Sequence, residues 1–533
     1  MQEEFEMVAK TFQGLETVLA TELIDLGANN IQIGRRMVSF TGNKELLYRA
    51  NFQLRTAIRV LVPIHHFKAK SADEVYDAIM SIDWTKYLTN ETTFAVDSVV
   101  YSSEFRHSKF VAYKVKDAIV DQFREKTGNR PNIRVTNPDL QLHIHVAEYD
   151  CTLSIDSSGE SLHRRGYRQE TVEAPLNEVL AAGIIMLSGW KGDCDLIDPM
   201  CGSGTIAIEA ALIARGIAPG VYRKEYAFEK WADFDQELFD RIYEDDSRER
   251  PFEHHIYGYD INRNAVSIAT TNVKAAGLSK EVSIAQQDFA DFKQPAEKAV
   301  IITNPPYGER ISAPDLLGLY KMIGTKFKHE FTGNDAWVLS YREECFDQIG
   351  LKPSLRTPLF NGSLECELRK YQMFSGKFNE MRAEGGDIKT AQERRMMADR
   401  KRFKQHRDFK EKLEDDPRDR FTPKEERREE RRRFDGPRRG NDDFRRGNFR
   451  DDDRKGGRDF RRDDRKGDRR GGFRDDRKEG FRDDKRGGYR DDRKGGYRRD
   501  DRGERGGRGS YGKPYDRNKG NNRFGRNRQD DED

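Results

Sequence analysis

The sequence predicts an α/β protein in which a parallel sheet covered by helices follows an α+β region and precedes a long segment that cannot pack. Three observations predict it. Short apolar strands alternate with helical stretches across residues 175–374. One of those strands runs into a glycine-rich loop and then a helix, in the stretch LIDPMCGSGTIAIEAALIA at 196–214. After about Gly376 the apolar residues nearly vanish.

The elements justify this in order. Within residues 1–155, GLETVLATELIDLG (14–27) carries Leu15, Val18, Leu19 and Leu23 at helical spacing. Leu140, Leu142, Ile144 and Val146 alternate with polar residues, as a half-buried strand does, and Glu148-Tyr149-Asp150 reads as a turn into a second strand at 151–155. Residues 156–174 form a basic connector containing SLHRRGYR. Beyond it, apolar strands are expected at 195–197, 256–259, 282–285, 299–303 and 336–340. The aromatic, charged stretch 215–255 reads as inserted helix.

The last region, 377–533, repeats units such as YRDDRKGG, with Phe473, Phe481, Tyr489 and Tyr497 eight residues apart. It offers too little apolar surface to offset its ordering entropy and is expected to be disordered. Each unit carries three cations and two anions, so the tail reads as an RNA tether or as a solubilising linker.

Composition narrows the class. The 533 residues have 97 Lys and Arg against 94 Asp and Glu, a net +3. The charged fraction of 36% owes its size to the tail. Five cysteines (Cys151, Cys194, Cys201, Cys345, Cys366) show no C-x-x-C spacing, so neither a zinc ribbon nor a disulfide framework is indicated, and no metal is expected. The start, MQEEFEMVAK, is acidic and unlike a secretory signal. No stretch reaches the roughly 18 apolar residues that span a bilayer. A soluble, cytoplasmic protein without membrane contact is expected.

Glycine lets a backbone approach a ligand closely, and the following helix presents free N–H groups beside it. Asp198, Pro199, Cys201, Gly202, Ser203, Gly204 and Thr205 are therefore candidate cofactor contacts. The dinucleotide spacing fails, because Thr205-Ile206-Ala207 follows without a third glycine, and there is no G-K-[ST] phosphate loop. A plain tight turn is the alternative. Two later acids weigh against it. Asp260 ends the strand IYGYD, where a carboxylate can take ribose hydroxyls. Asp288 closes the next strand and can accept from an adenine amino group, with Phe289 alongside the ring. Either acid could instead cap a helix, Asp260 the one beginning near Asn262.

Directly after the strand AVIIT comes Asn304-Pro305-Pro306-Tyr307. Two prolines fix φ, remove donors and stiffen the loop. The Asn304 side-chain oxygen and the Pro305 carbonyl can accept the two hydrogens of a planar amino group, and Tyr307 can stack on a base. Such an amine is a poor nucleophile until its hydrogens are accepted and its lone pair is aimed. A merely structural turn is the alternative.

DPMCGSGT, YGYD, QQD and NPPYG, in that order, resemble class I S-adenosylmethionine-dependent methyltransferases acting on amino groups. Arg106-His107-Ser108-Lys109-Phe110 with KVKDAI (114–119) resembles a THUMP RNA-binding domain. SLHRRGYR and APLNEVLAAGII (174–185) are similar to the junction in bacterial large-subunit ribosomal RNA guanine-N2 methyltransferases. The resemblance implies a ferredoxin-like subdomain (1–50), a THUMP domain (51–155), the connector (156–174) and a Rossmann-like methyltransferase domain (175–376). It implies S-adenosylmethionine as cofactor and RNA, ribosomal above all, as partner. Lys109, Lys114, Lys116, Arg164, Arg165 and Arg168 are candidate RNA contacts, and the HRRGYR run, with Tyr167 interleaved, reads as nucleic-acid or domain-junction contact; a solvated helix face and a charged linker are the alternative. The function implied is methyl transfer to guanine N2 in 23S ribosomal RNA. A transfer RNA guanine methyltransferase and a silent RNA-binding assembly protein are the rivals.

Overall fold

The computed structural model describes residues 3–374 apart from 106, 296–297 and 309–312. The repeats of the tail, and the disorder expected there, lie outside the described residues, as does Arg106 of the THUMP-like stretch.

The fold is α/β, built on two sheets. The first has eight strands in the order β2-β3-β1-β4-β8-β7-β5-β6. They are β1 (Phe5–Lys10), β2 (Asn29–Gly34), β3 (Met37–Gly42), β4 (Arg59–Lys68), β5 (Thr93–Tyr101), β6 (Asn132–Ile133), β7 (Leu140–Ala147) and β8 (Asp150–Asp156). Helices α1 (Glu16–Asp25) and α2 (Lys44–Gln53) bury Leu19, Leu23, Leu47 and Phe52 with Met7 and Phe40 of the sheet. Helices α3 (Ala72–Met80) and α4 (Ser108–Thr127) bury Val75, Ile79, Val115 and Ile119 with Leu142, Ile144 and Leu153. Polar caps start two of them: the Asn43 side chain accepts from Leu46 N (3.0 Å) and that of Ser71 from Glu74 N (3.2 Å). The two halves share strand β4, which pairs with β1 at 59–61 and with β8 from Leu61 to Lys68. They form one continuous sheet.

The second sheet orders seven strands β11-β10-β9-β12-β13-β15-β14. These are β9 (Asp195–Asp198), β10 (Ile256–Asp260), β11 (Val282–Gln286), β12 (Ala299–Thr303), β13 (Asp335–Ser340), β14 (Leu355–Asn361) and β15 (Leu364–Gln372). The first five are parallel; β15 runs antiparallel between β13 and β14. Helices α5 (Glu178–Ser188), α6 (Thr205–Arg215), α8 (Arg263–Ala275), α9 (Ala313–Glu330) and α10 (Glu343–Ile349) accompany this sheet, and α7 (Gln236–Glu244) lies in the inserted stretch.

Two features depart from the sequence reading. Strands β14 and β15 are not foreseen, because ion pairs bury charges that read as solvent-facing: Arg369, 3% exposed, binds Glu343 and Glu367, and Lys370 binds Asp335. The insertion 215–255 holds one helix and two 3-10 turns. Its aromatics clasp the N-terminal region. Phe228 stacks on Tyr48 with ring centroids 4.4 Å apart, and Phe239 meets Phe52 edge-on.

Helices α9 and α10 approach so closely that a Cβ on Gly324 would lie 2.0 Å from the Ile349 carbonyl oxygen. Gly324→Ala should therefore cost about 1–3 kcal/mol by overpacking, read as a lowered midpoint in urea denaturation.

Candidate active site

The sheet order dictates where chemistry can gather. From β9 the chain winds outward through β10 and β11, then returns to place β12 on the other side of β9. The β9/β12 boundary is the topological switch point, where open parallel sheets leave a crevice beyond the strands' carboxyl ends. The glycine loop follows β9 and the Asn304 loop follows β12, so the two flank this crevice. Across the rim the strand ends present Asp288, Asp260, Asp198 and Asn304 in that order.

The loop after β9 is held open by backbone geometry. Gly202 and Gly204 take φ of 55° and 81°, which side chains rarely adopt. Gly204 N donates to Cys201 O (2.8 Å), Cys201 N to Tyr259 O (2.7 Å), and Gly202 N to the Asp260 carboxylate (2.9 Å). The second Asp260 oxygen accepts from Asn262 N (2.9 Å). The helix cap there is Asn262 itself, whose side chain accepts from Asn264 N and Ala265 N. Asp260 thus braces the glycine loop, and each of its carboxylate oxygens keeps a second lone pair for a further donor. Asp288 accepts from Ala290 N at 2.8 Å. Its neighbour Phe289 is 5% exposed and packs on Phe292 and Phe331; the expected position alongside an adenine ring is corrected to a core position.

Asp198 is fully buried, with Met200 N donating to it at 3.3 Å. Burial, with a smaller push from Asp260, raises its carboxyl to about 8. Among the described residues no Lys or Arg pairs with it.

The Asn304 loop is stiff but closed on itself. Asn304 is half-buried, Pro305 buried and Pro306 exposed. The Tyr307 hydroxyl donates to the Asn304 side-chain oxygen, and its ring meets Tyr341 edge-on at 5.4 Å. The ring expected to face a base is therefore engaged inward.

The connector differs most from expectation. Arg165, 2% exposed, donates to the carbonyls of Leu162 (2.8 Å) and Arg55 (2.5 Å) and pairs with Glu209 of α6. Tyr167 is equally buried and donates to Glu209 at 3.0 Å. Arg165, a candidate RNA contact, is thus an interior group at the domain junction, with Tyr167 beside it. Arg168 donates to Glu178 (2.8 Å), Ser203 Oγ (2.7 Å), Thr205 Oγ1 (2.8 Å) and Leu176 O (3.3 Å), fastening connector and α5 to the glycine loop. Domain-junction contact was one reading of this run, but a basic run betrays charge and not which guanidinium turns inward. Arg164, beside them, is exposed. On α4, Lys109 is exposed, Lys114 is tied to Asp73 (2.8 Å) and Lys116 pairs with Asp117 (2.8 Å).

A glycine loop and a row of strand-end acids on one side of a switch point, and an Asn-Pro-Pro-Tyr loop on the other, define a class I methyltransferase domain. Comparisons agree. Residues 165–370 match the family described as RMKL-like, methyltransferase domain; 69–156 match the THUMP domain, and 6–61 the RlmL ferredoxin-like domain. A Synechocystis protein named for RNA methyltransferase activity is 38% identical over 373 residues, 69% of this chain and 96% of that one. The ribosomal RNA large subunit methyltransferase K/L of Syntrophotalea carbinolica is 39% identical over 69% of this chain, and the chain spans only 53% of its length. A crystal structure of SMU.472 complexed with SAH, titled as a methyltransferase, is 31% identical with a TM-score of 0.63, covering 71% of this chain and all of that one. One from Listeria monocytogenes, titled as an N6-adenine-specific DNA methylase, is also 31% identical, with a TM-score of 0.62 over 70% of this chain and 97% of that one. The chain belongs to the RMKL-like methyltransferase family, with the ferredoxin-like and THUMP modules in front.

The residues fit S-adenosylmethionine, the cofactor of this class. A Cβ on Gly202 would meet only Val172 Cγ2, at 3.9 Å, so the loop has open space above it. The uncompensated Asp198 suits a cationic ligand. Among the described residues no cluster of His, Cys, Asp or Glu could hold a metal ion, and no helix is long and apolar enough to cross a membrane.

Two outcomes are expected. Arg168→Ala should raise the KM for S-adenosylmethionine about tenfold through loss of charged hydrogen bonds, leaving the KM for the methyl acceptor unchanged. Asp198 stays protonated at neutral pH in the folded protein but ionises near 3.8 when unfolded. Ionisation therefore favours the unfolded chain, and stability should fall as pH rises from about 4 to about 8. Urea titrations of Asp198→Asn at pH 6 and 8 should show a smaller loss than wild type.

Proposed function

We propose that this chain transfers a methyl group from S-adenosylmethionine to the exocyclic N2 of a guanine in 23S ribosomal RNA. The observation that carries the reading is the juxtaposition at the switch point of an Asn-Pro-Pro-Tyr loop and a cofactor-type glycine loop. Relatives named as large-subunit ribosomal RNA methyltransferases support the acceptor. The THUMP module favours RNA over DNA.

On this reading the cofactor, when bound, supplies an electrophilic methyl carried on sulfonium. The chain's residues hold and aim. Gly202 and Gly204 let the backbone close on the ligand, Asp260 takes ribose hydroxyls, and Asp288 accepts from the adenine amino group. An incoming guanine amine donates to Asn304 Oδ1, displacing the Tyr307 hydroxyl, and to the Pro305 carbonyl. The freed Tyr307 ring is then available to stack on the base. Accepting both hydrogens concentrates electron density on nitrogen, and the methylated nitrogen loses a proton readily, so no strong base is required. A base within paired RNA must be flipped out to reach this loop, at a cost of a few kcal/mol.

The test offers the purified chain labelled cofactor with 23S ribosomal RNA, 16S ribosomal RNA and transfer RNA, and maps the modified base by mass spectrometry. Label at guanine N2 of 23S RNA is expected, and label confined to transfer RNA would overturn the acceptor. Asn304→Ala should lower kcat roughly 10²–10³-fold, as loss of one preorganised polar contact does, with cofactor affinity retained. Full activity in that variant would end the mechanism.

A further inference from the structure

The Asn304 loop by itself leaves the choice of base open. Asn304 Oδ1 and the Pro305 carbonyl accept the hydrogens of a planar amine, and guanine N2 and adenine N6 both offer them. Guanine differs in its carbonyl oxygen O6, an acceptor that stands where adenine carries a donor. A site that selects guanine needs a fixed donor beside the loop.

Strand β13 supplies one. It runs parallel to β12, with Thr303 opposite Val338, so the residues that follow its last one, Ser340, emerge on the same rim as Asn304. Those residues are Tyr341 and Arg342. The Tyr341 ring meets the Tyr307 ring edge-on, with centroids 5.4 Å apart. Arg342 lies against the turn that ends the Asn304 loop: a Cβ on Gly308 would stand 3.6 Å from its guanidinium carbon and 3.7 Å from Nη2. We propose that Arg342 donates to O6 of the target guanine and so selects guanine over adenine; the inference rests on the guanine reading above and names the residue that chooses the base.

The guanidinium is held in direction. Its Nε donates to the Tyr341 hydroxyl at 3.0 Å, and its carbon stands 5.4 Å from the centroid of that ring. The Arg342 backbone N–H donates to Ser340 Oγ (3.4 Å), which also accepts from the buried Tyr320 hydroxyl (3.1 Å). A fork fixed at one end presents its other end at a set angle.

That other end is available. Among the described residues neither terminal nitrogen makes a hydrogen bond. Glu344 stands 3.6 Å from Nη1, beyond hydrogen-bond reach, and Glu343 is taken by Arg369 at 2.9 Å. The Arg342 side chain is 31% exposed, so an incoming base reaches it without unpacking the core. Arginine carries donors only, which suits a carbonyl and offers nothing to an amino group. Adenine seated with N6 between the same two acceptors has no carbonyl to give it. A site built to hydrogen-bond one substrate group rejects an analogue that lacks the group.

The test uses the full chain with a fragment of 23S RNA spanning the mapped guanine, synthesised with guanine or with 2-aminopurine at that position. 2-Aminopurine keeps the N2 amine and lacks O6. Arg342→Ala should lower kcat/KM on the guanine fragment about tenfold to a hundredfold and change it little on the 2-aminopurine fragment, so that the preference for guanine shrinks by the same factor. Tyr341→Phe keeps the ring and removes the hydroxyl that aims Nε, and its preference should fall between wild type and Arg342→Ala. The KM for S-adenosylmethionine should hold in both variants. An unchanged guanine preference in Arg342→Ala would overturn the assignment. Equal losses on the two fragments with a flatter salt dependence would place Arg342 on a phosphate and overturn it as well. If the wild type leaves guanine N2 of 23S RNA unmethylated, the functional reading falls and this inference with it.

Discussion

The buried carboxylate of Glu209 is the constraint on which the rest of the molecule depends. It lies on α6, the helix that opens directly from the glycine loop, and it is wholly inside the protein. A buried charge must be paired and hydrogen-bonded or it is costly. Arg165 and Tyr167 of the connector supply that pairing, and Arg165 also reaches the Arg55 carbonyl at the end of α2. One ionic centre therefore ties together the N-terminal module, the connector and the helix beneath the cofactor loop. Arg168 repeats the theme three residues on, binding the loop's own hydroxyls.

Charge is divided by task. Three carboxylates stand at the strand ends of the second sheet, and the burial of Asp198 keeps its proton on until a compensating cation arrives. That rim suits a sulfonium-bearing ligand. The arginines of the connector are instead paired within the protein, Arg164 with Glu160, Arg165 with Glu209 and Arg168 with Glu178.

Much of this was legible where chemistry is written in contiguous residues. LIDPMCGSGT and AVIITNPPY announce strand, turn and loop by local rules, and their strands form as expected at 195–198 and 299–303. What was illegible depends on partners distant in sequence. Arg164 and Arg165 are adjacent and identical in type, yet one faces water and the other Glu209, because the connector has no period to reveal its inner side. Strand β15 hides behind Arg369 and Lys370, whose partners sit on β13, on α10 and in the strand itself. Tyr307 and Phe289 look like ligand-facing rings in sequence and turn inward because apolar or aromatic neighbours await them.

The shared strand β4 and the aromatic clasp have a consequence for how such proteins can be recombined. A cut between the ferredoxin-like and THUMP portions would sever a hydrogen-bonded ladder and bare two raw sheet edges, an invitation to aggregation. A graft of the whole N-terminal half onto another catalytic domain would leave Tyr48 and Phe52 without the Phe228 and Phe239 rings that cover them. The front half and the 215–255 insertion are separated in the sequence but packed as a single unit, so a chimaera must exchange both or neither.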